Sequence, residues 1–296
     1  MTSVVKGFGA PSSTTNGVGN DGTEFMSMLP PPKEKLDGYD NTKPCRRQTI
    51  TVPPLFADAM SVREAVYGEQ GVPLEAEFDE DDARSWHWIA YASVASTSAP
   101  PKDLRVDSPK SSGDDSRRSS AAASRLPVAT IRLVPPPHGP NKYVDHSQGD
   151  KHGDADPPEG EPAHPAEPYV KLGRLATLGA YRGLGLASLL VNAALDYAKQ
   201  NSDLIYKPPS PTAMERAQIK DHGKEQLAWN GLVMIHAQAN IKKMWEKHGF
   251  QEELRNDLGE VEIAAEPHWI EEGIEHIGMW KRIEVKRGRS ALHPSA

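Results

Sequence analysis

The stretch Leu178-Gly-Ala-Tyr-Arg-Gly-Leu-Gly-Leu-Ala187 (LGAYRGLGLA) joins a strand-like run to a helix-like one, and its reading decides the fold. Before it, YVKLGRLATL (169–178) has strand character. After it, Leu186, Leu189, Leu190, Ala193, Ala194 and Tyr197 recur at helical spacing, with Ser188, Asn192, Asp196 and Lys199 off that stripe. At such a junction the N–H groups of Arg182, Gly183, Leu184, Gly185, Leu186 and Ala187 have no intrahelical acceptor, and the helix dipole adds partial positive charge. That is a site for an anion. Gly183 and Gly185 let the backbone approach a phosphate or take a positive φ, Ala187 keeps the wall low, and Arg182 can add a charge-assisted bond. A Walker loop would need Gly-Lys-Ser/Thr, which is absent. A dinucleotide fingerprint would need a third glycine where Ser188 stands, and only a short LIY follows Asp203 before two prolines. A glycine-rich turn holding nothing is the remaining alternative.

Working outward, RRQTITV from Arg46 predicts a strand, and PPLFADAMSVREAVYGEQ a helix with Pro54 in its first turn. WHWIAYAS (86–93), PVATIRLV (127–134), GLVMIHAQ (231–238) and HIGMWKRI (276–283) predict strands, and NIKKMWEKHGF a helix ended by Gly249. Strands and helices in this order mean a mixed α/β sheet. Three polar segments interrupt it, at about 94–126, 135–167 and 202–229, and they read as insertions at loop tips; the third could hold a short helix around AMERAQIKDHGKEQLA. Residues 1–45 are expected to be a disordered tail, 46–284 one domain, and 285–296 a basic, solvated tail.

The chain has 296 residues and a net charge of −7, which gives no general reason to expect nucleic-acid or anionic-membrane binding. Its one cysteine, Cys45, excludes an internal disulfide. No run approaches the about 18 apolar residues of a membrane span. A cytoplasmic protein is expected, with a nuclear location also compatible, and the sequence leaves a homodimer open.

Arg182-x-x-Gly185-x-Ala187 fits the pattern Arg/Gln-x-x-Gly-x-Gly/Ala, and GRLATLGAYRGLGLASLL resembles the strand-loop-helix segment of the GNAT superfamily of acyl-coenzyme-A-dependent N-acetyltransferases. REAVYGEQGVPLEAEFDEDD followed by His87, then HAQANIKKMWEKHGF, then EEGIEHIGM, resemble successive blocks of its ElaA-like branch, in the same order. The resemblance implies a central sheet flanked by helices and splayed open between YVKLGRLATL and GLVMIHAQ. Acetyl-coenzyme A would enter there as co-substrate, its pantetheine arm pairing with backbone groups of Leu175, Ala176 and Thr177 and its pyrophosphate sitting on Arg182 to Ala187. The reaction implied is direct attack of a neutral amine, from a small molecule or a protein, on the thioester, with a backbone N–H near Ala176 or Thr177 stabilising the oxyanion and no metal involved.

His236 lies where the amine must arrive, and its ordinary pKa near 6.5 suits a base; a buried structural histidine is the bland alternative. His87 and His276 share no ligand-like spacing with it, so no metal site is expected. Glu69 could face the substrate cleft or be a surface carboxylate. EAEFDEDD (75–82) packs six carboxylates into eight residues, either as a solvated loop or as an attractor for a cationic substrate. Arg117-Arg118-Ser119-Ser120 could be a kinase site or ordinary linker. The family commonly carries Asn-x-x-Ala-x-x-Phe-Tyr before Glu-Lys-x-Gly-Phe, the tyrosine often protonating the departing thiolate. Here Gln238, Ile241, Met244 and Trp245 stand in that run, and an indole N–H donates but is no practical acid. Either the thiolate leaves without an acid, or the chain is a module that holds coenzyme A or a protein partner without turnover.

Overall fold

The computed structural model describes residues 25–94, 124–138, 141, 167–206 and 229–285. Seven strands form one sheet in the order β1-β2-β3-β4-β5-β9-β8. They are β1 (Met26–Leu29), β2 (Trp86–Val94), β3 (Ser124–Val134), β4 (Val170–Thr177), β5 (Leu232–Gln238), β8 (Trp269–Glu271) and β9 (Ile274–Arg282). A separate hairpin pairs β6 (Leu254–Arg255) with β7 (Val261–Ile263). β4 and β5 are parallel, and the other neighbours in the sheet are antiparallel.

Helix α1 (Pro54–Gly68) starts with proline in its first turn, where the missing N–H costs nothing. It covers one face of the sheet, packing Ala59 with Ile89 and Tyr91, and Val62 and Val66 with Ala176. Helix α2 (Leu186–Gln200) covers the other face. Its buried stripe is Leu186, Leu190, Val191, Ala194, Leu195 and Ala198, rotated from the expected one so that Leu189 faces outward and Val191 and Leu195 point in. Each fully buried Leu or Val contributes about 1.5–3 kcal/mol, which the exposed Leu189 forgoes. A short helical turn, α3 (Ser202–Ile205), follows, and α4 (Lys242–Lys247) packs the buried Trp245 into the same core.

Two assignments change. RRQTITV is not a strand: Cys45–Arg47 form a 3-10 turn and residues 48–53 run on to α1 unpaired in the sheet. The first strand instead lies in the segment expected to be a disordered tail. β1 pairs with β2 from Met26↔Ala90 to Leu29↔His87, and Leu36 and Cys45 are buried with Phe56 and Met60. The sheet therefore reaches back at least to Met26, well before residue 46. The kinase-like string Arg117–Ser120, the helix expected at 213–228, the bulk of all three polar segments and the tail from 286 lie outside the described residues.

β4 and β5 pair over three steps, Val170↔Val233, Lys171↔Met234 and Leu172↔Ile235, and then part. The cause is a bulge in β4: its register with β3 shifts between Thr130 and Arg132, and Arg174 takes φ +52°, which bends β4 to follow β3. β5 stays paired with β9 as far as Gln238↔His276. Past Leu172 the sheet is forked.

Candidate functional site

The fork opens into a groove of about 1520 Å³ that runs from the α2 end of the glycine loop, along both diverging strands, to the β8–β9 turn. Its floor is Leu172 to Thr177 of β4 on one side and His236, Ala237 and Gln238 of β5 on the other. The glycine loop forms one end. Gly183 and Gly185 have φ of +78° and +80°, a conformation that side chains rarely adopt, and Gly185 is the N-cap of α2. A Cβ built on either would meet nothing within 4 Å, so the backbone there is open to a bulky group. Leu189 N–H donates to Gly185 O at 3.0 Å, which leaves the N–H groups of Leu186, Ala187 and Ser188 without intrahelical acceptors. All three residues line the groove, as do Arg182, Gly183 and Gly185; Leu184 points away and is exposed.

The orientation of β4 sorts its backbone donors. Leu178 N–H donates to Val128 O of β3, so the alternation of a strand directs Ala176, opposite Thr130, to β3 as well, and turns Leu175 and Thr177 to the fork. Ala176, expected to pair with an incoming arm, is committed to β3 and packs its methyl under α1. The Leu175 carbonyl accepts from Tyr67 Oη at 3.2 Å and the Thr177 carbonyl from Arg182 Nε at 3.1 Å. The N–H groups of Leu175 and Thr177 remain as the strand's donors on the fork side.

His236 is partly buried in the groove, and its Nδ1 lies 2.9 Å from Lys171 Nζ across the last paired steps of the fork. The edge of its ring packs against Trp269, centroids 4.7 Å apart. Lys171, which the sequence reading passed over, has its ammonium lowered to about 8, first by burial and then by Arg132. A lone lysine inside a strand leaves no periodic signature. Gln238 sits at the groove's rim and donates to Gln70 Oε1 at 2.7 Å, tying β5 to the end of α1. Glu69 is exposed just past α1 and does not line the groove; its neighbour Gln70 does, because the helix ends there and turns Glu69 outward. Trp245 lines the groove but is 3% exposed, stacked edge-on to Phe250, and its indole N–H has no hydrogen-bond partner among the described residues.

The three histidines do not converge. His276 stacks on Trp269 beside the groove, whereas His87 is buried with Nε2 at 3.0 Å from Asp82 O. Among the described residues no group of three His, Cys, Asp or Glu side chains is placed to hold a metal ion. Nor is any helix there long and apolar enough to cross a membrane.

The acidic run 75–82 has two fates. Asp82 is fully buried, bonded by Arg63 Nη1 at 2.7 Å, Arg63 Nη2 at 3.1 Å and Arg132 Nη1 at 2.8 Å. Asp79 pairs with Arg132 at 2.5 and 2.8 Å and with Arg174 at 3.0 Å, and Glu77 is buried beside Arg63. Burial would raise the two aspartates, but the guanidinium groups outweigh it and hold both below the usual carboxylate range. This half of the run is neither a solvated loop nor an attractor; it is counter-charge for buried arginines. Glu75, Glu80 and Asp81 do face the groove, and Glu271 and Glu272 of the β8–β9 turn line it as well.

No curated protein matches the chain. Two similar solved structures are an acyl-CoA N-acyltransferase from Pseudomonas aeruginosa, 19% identical, with a TM-score of 0.37 over 79% of this chain and 93% of that one, and Escherichia coli ElaA, 17% identical, with a TM-score of 0.36 over the same shares. The family model described as acetyltransferase (GNAT) family matches residues 80–207, the segment that carries β2 to β4, the glycine loop and α2. That segment supplies the glycine loop and β4, one side of the fork, and it resembles the GNAT acetyltransferase family, whose acyl-CoA N-acyltransferase fold the mixed sheet with its flanking helices matches.

Proposed function

We propose that this protein transfers an acetyl group from acetyl-coenzyme A to a primary amine. The observation that carries the reading is that the fork and the open glycine loop share one groove, so anion donors and strand-edge donors are aligned along a single path. The N–H groups from Gly183 to Ser188 would hold a pyrophosphate, and those of Leu175 and Thr177 would pair with an extended amide-bearing arm. Acetyl-coenzyme A supplies an acyl group already activated as a thioester. His236 accepts the proton of the attacking amine, directly or through water. Trp245 supplies no proton; an ordinary thiol ionises near about 8.5, so a thiolate is a tolerable leaving group near neutral pH. Glu75, Glu80, Glu271 and Glu272 favour a cationic amine, on a small molecule or a protein, as acceptor.

One observation favours binding without turnover: Lys171 Nζ, 2.9 Å from His236 Nδ1, occupies a ring nitrogen that a general base would need. Calorimetry with acetyl-coenzyme A, followed by thiol release against a panel of amines, separates the two. We expect binding and release with wild type, and loss of binding in Gly185→Asp, which puts a side chain and a negative charge where φ is +80°. Unchanged affinity in a folded Gly185→Asp would refute the assignment of the loop.

A further inference from the structure

We propose that Lys171 is a self-acylation site, its Nζ taking the acyl group of a thioester bound in the fork between β4 and β5. The proposal rests on the reading of that fork as an acyl-coenzyme A site. Lys171 stands one step before the closed end of the fork, on a central strand, and lines the groove together with His236. From Thr177, beside the glycine loop, back to Leu172 is five residues, or about 16–17 Å of strand. An extended pantetheine arm is of comparable length. A thioester anchored by its pyrophosphate at Gly183 and Gly185 therefore ends near Leu172, with Lys171 next to it.

Acylation needs a neutral amine and a place for its proton. Burial, then Arg132, lowers the Lys171 ammonium to about 8 against the opposing pull of Asp81 and Glu271, so a large fraction is neutral in mildly basic solution. His236 Nδ1, 2.9 Å away, can take the proton as the nitrogen bonds to carbon. The new bond is Nζ–C; the bond broken is C–S, whose electron pair leaves on sulfur as thiolate. One Nζ proton passes to His236 and from there to thiolate or water. No oxidant, reductant or other reactant enters. The resulting amide is stable, so the modification is a dead end that removes the charge beside His236 and places an acyl group in the fork. Formed while no acceptor amine is present, it would block the fork to later turnover.

The test uses the full chain with acetyl-coenzyme A and no added amine at mildly basic pH, followed by tryptic mapping. The expected result is one acetyl group on Lys171, seen as loss of cleavage after that residue, and none at that position in Lys171→Arg. His236→Ala should slow the modification by about 10²-fold, the low end of general base catalysis, with cofactor affinity by calorimetry unchanged. A readout that needs no acetyl transfer from the cofactor is chemical labelling: bound coenzyme A should protect Lys171, but not exposed Lys43, from acetic anhydride. Lys171 unmodified by a protein that binds acetyl-coenzyme A would overturn this proposal alone, as would acetylation spread equally over exposed lysines. Failure to bind acetyl-coenzyme A at all would overturn the proposed function with it.

Discussion

The carboxylate of Asp82 is sealed from solvent, yet Arg63, Arg132 and the Asp79 N–H all bond to it, and its carbonyl meets His87. Removing two such ions from water costs several kcal/mol each, and the cost is offset here because every carboxylate oxygen is bonded. The arrangement also keeps His87 neutral. Burial lowers it to about 4, with the neighbouring arginines adding to the effect and Asp82 opposing it. An unfolded histidine titrates near 6.5, so between pH 6.5 and 4 the unfolded chain binds a proton that the native one does not. Stability from this group is therefore complete above pH 6.5 and falls as pH drops toward 4. We expect a loss of about 2 kcal/mol between pH 7 and pH 5 in urea unfolding, absent from His87→Gln. A wild-type curve as flat as the variant's over that window would refute the assignment. This network was not legible in the sequence, because composition shows six nearby carboxylates but not the arginines, distant in the chain, that face three of them.

The fork depends on which partner each strand keeps, and glycine fixes one of those choices. Gly231, just before β5, has φ +84°, and a Cβ there would lie 1.9 Å from Ile283 O, whose own N–H donates to Gly231 O at 2.9 Å. β9 can close on β5 at that end because residue 231 has no side chain. Gly231→Ala should cost about 2–4 kcal/mol, combining backbone strain with a backbone clash that no rotamer relieves. Gly179→Ala, with φ outside the left-handed region and nothing near its built Cβ, is the control expected to lie within about 0.5 kcal/mol of wild type. Equal thermal midpoints for the two variants would show that the β5–β9 end relaxes freely. The long elements were legible: α2 begins at Leu186 as its apolar spacing predicted, and β4 and β5 fall within a residue of their expected bounds. The short ones were not. β1 is four residues, MSML, paired on one side only, and β6, β7 and β8 have two or three residues each, too few for alternation to show. RRQTITV has strand-like residues but pairs with no strand among the described residues.

The places of the glycine loop and His236 on the groove were legible because motif and resemblance pointed to them, whereas Tyr67 and Gln70 reach it through packing that brings the end of α1 against β4 and β5, and Lys171 through the pairing of β4 with β5. What the whole chain needs in order to build that groove can be argued from where each polar segment leaves and re-enters the sheet. Val94, the end of β2, is the register partner of Ser124, the start of β3. Val134, the end of β3, is likewise opposite Lys171, near the start of β4. Both connections are thus hairpins whose ends already lie side by side, and a hairpin closes with two to five residues. The second has anchored flanks: His138 stacks on Tyr169 at 4.5 Å, and Glu167 pairs with Arg282 at 2.8 Å. A cut there must keep 135–141 and 167. Replacing 95–123 and 142–166 each by a four-residue turn should preserve the fold and acetyl-coenzyme A affinity. Shortening each loop from about 25–30 residues to about four removes closure entropy of about 1–2 kcal/mol, so the thermal midpoint should rise by a few degrees. A fall of ten degrees or more would mean that the removed residues pack on the domain, and that the sheet described here is not its whole core.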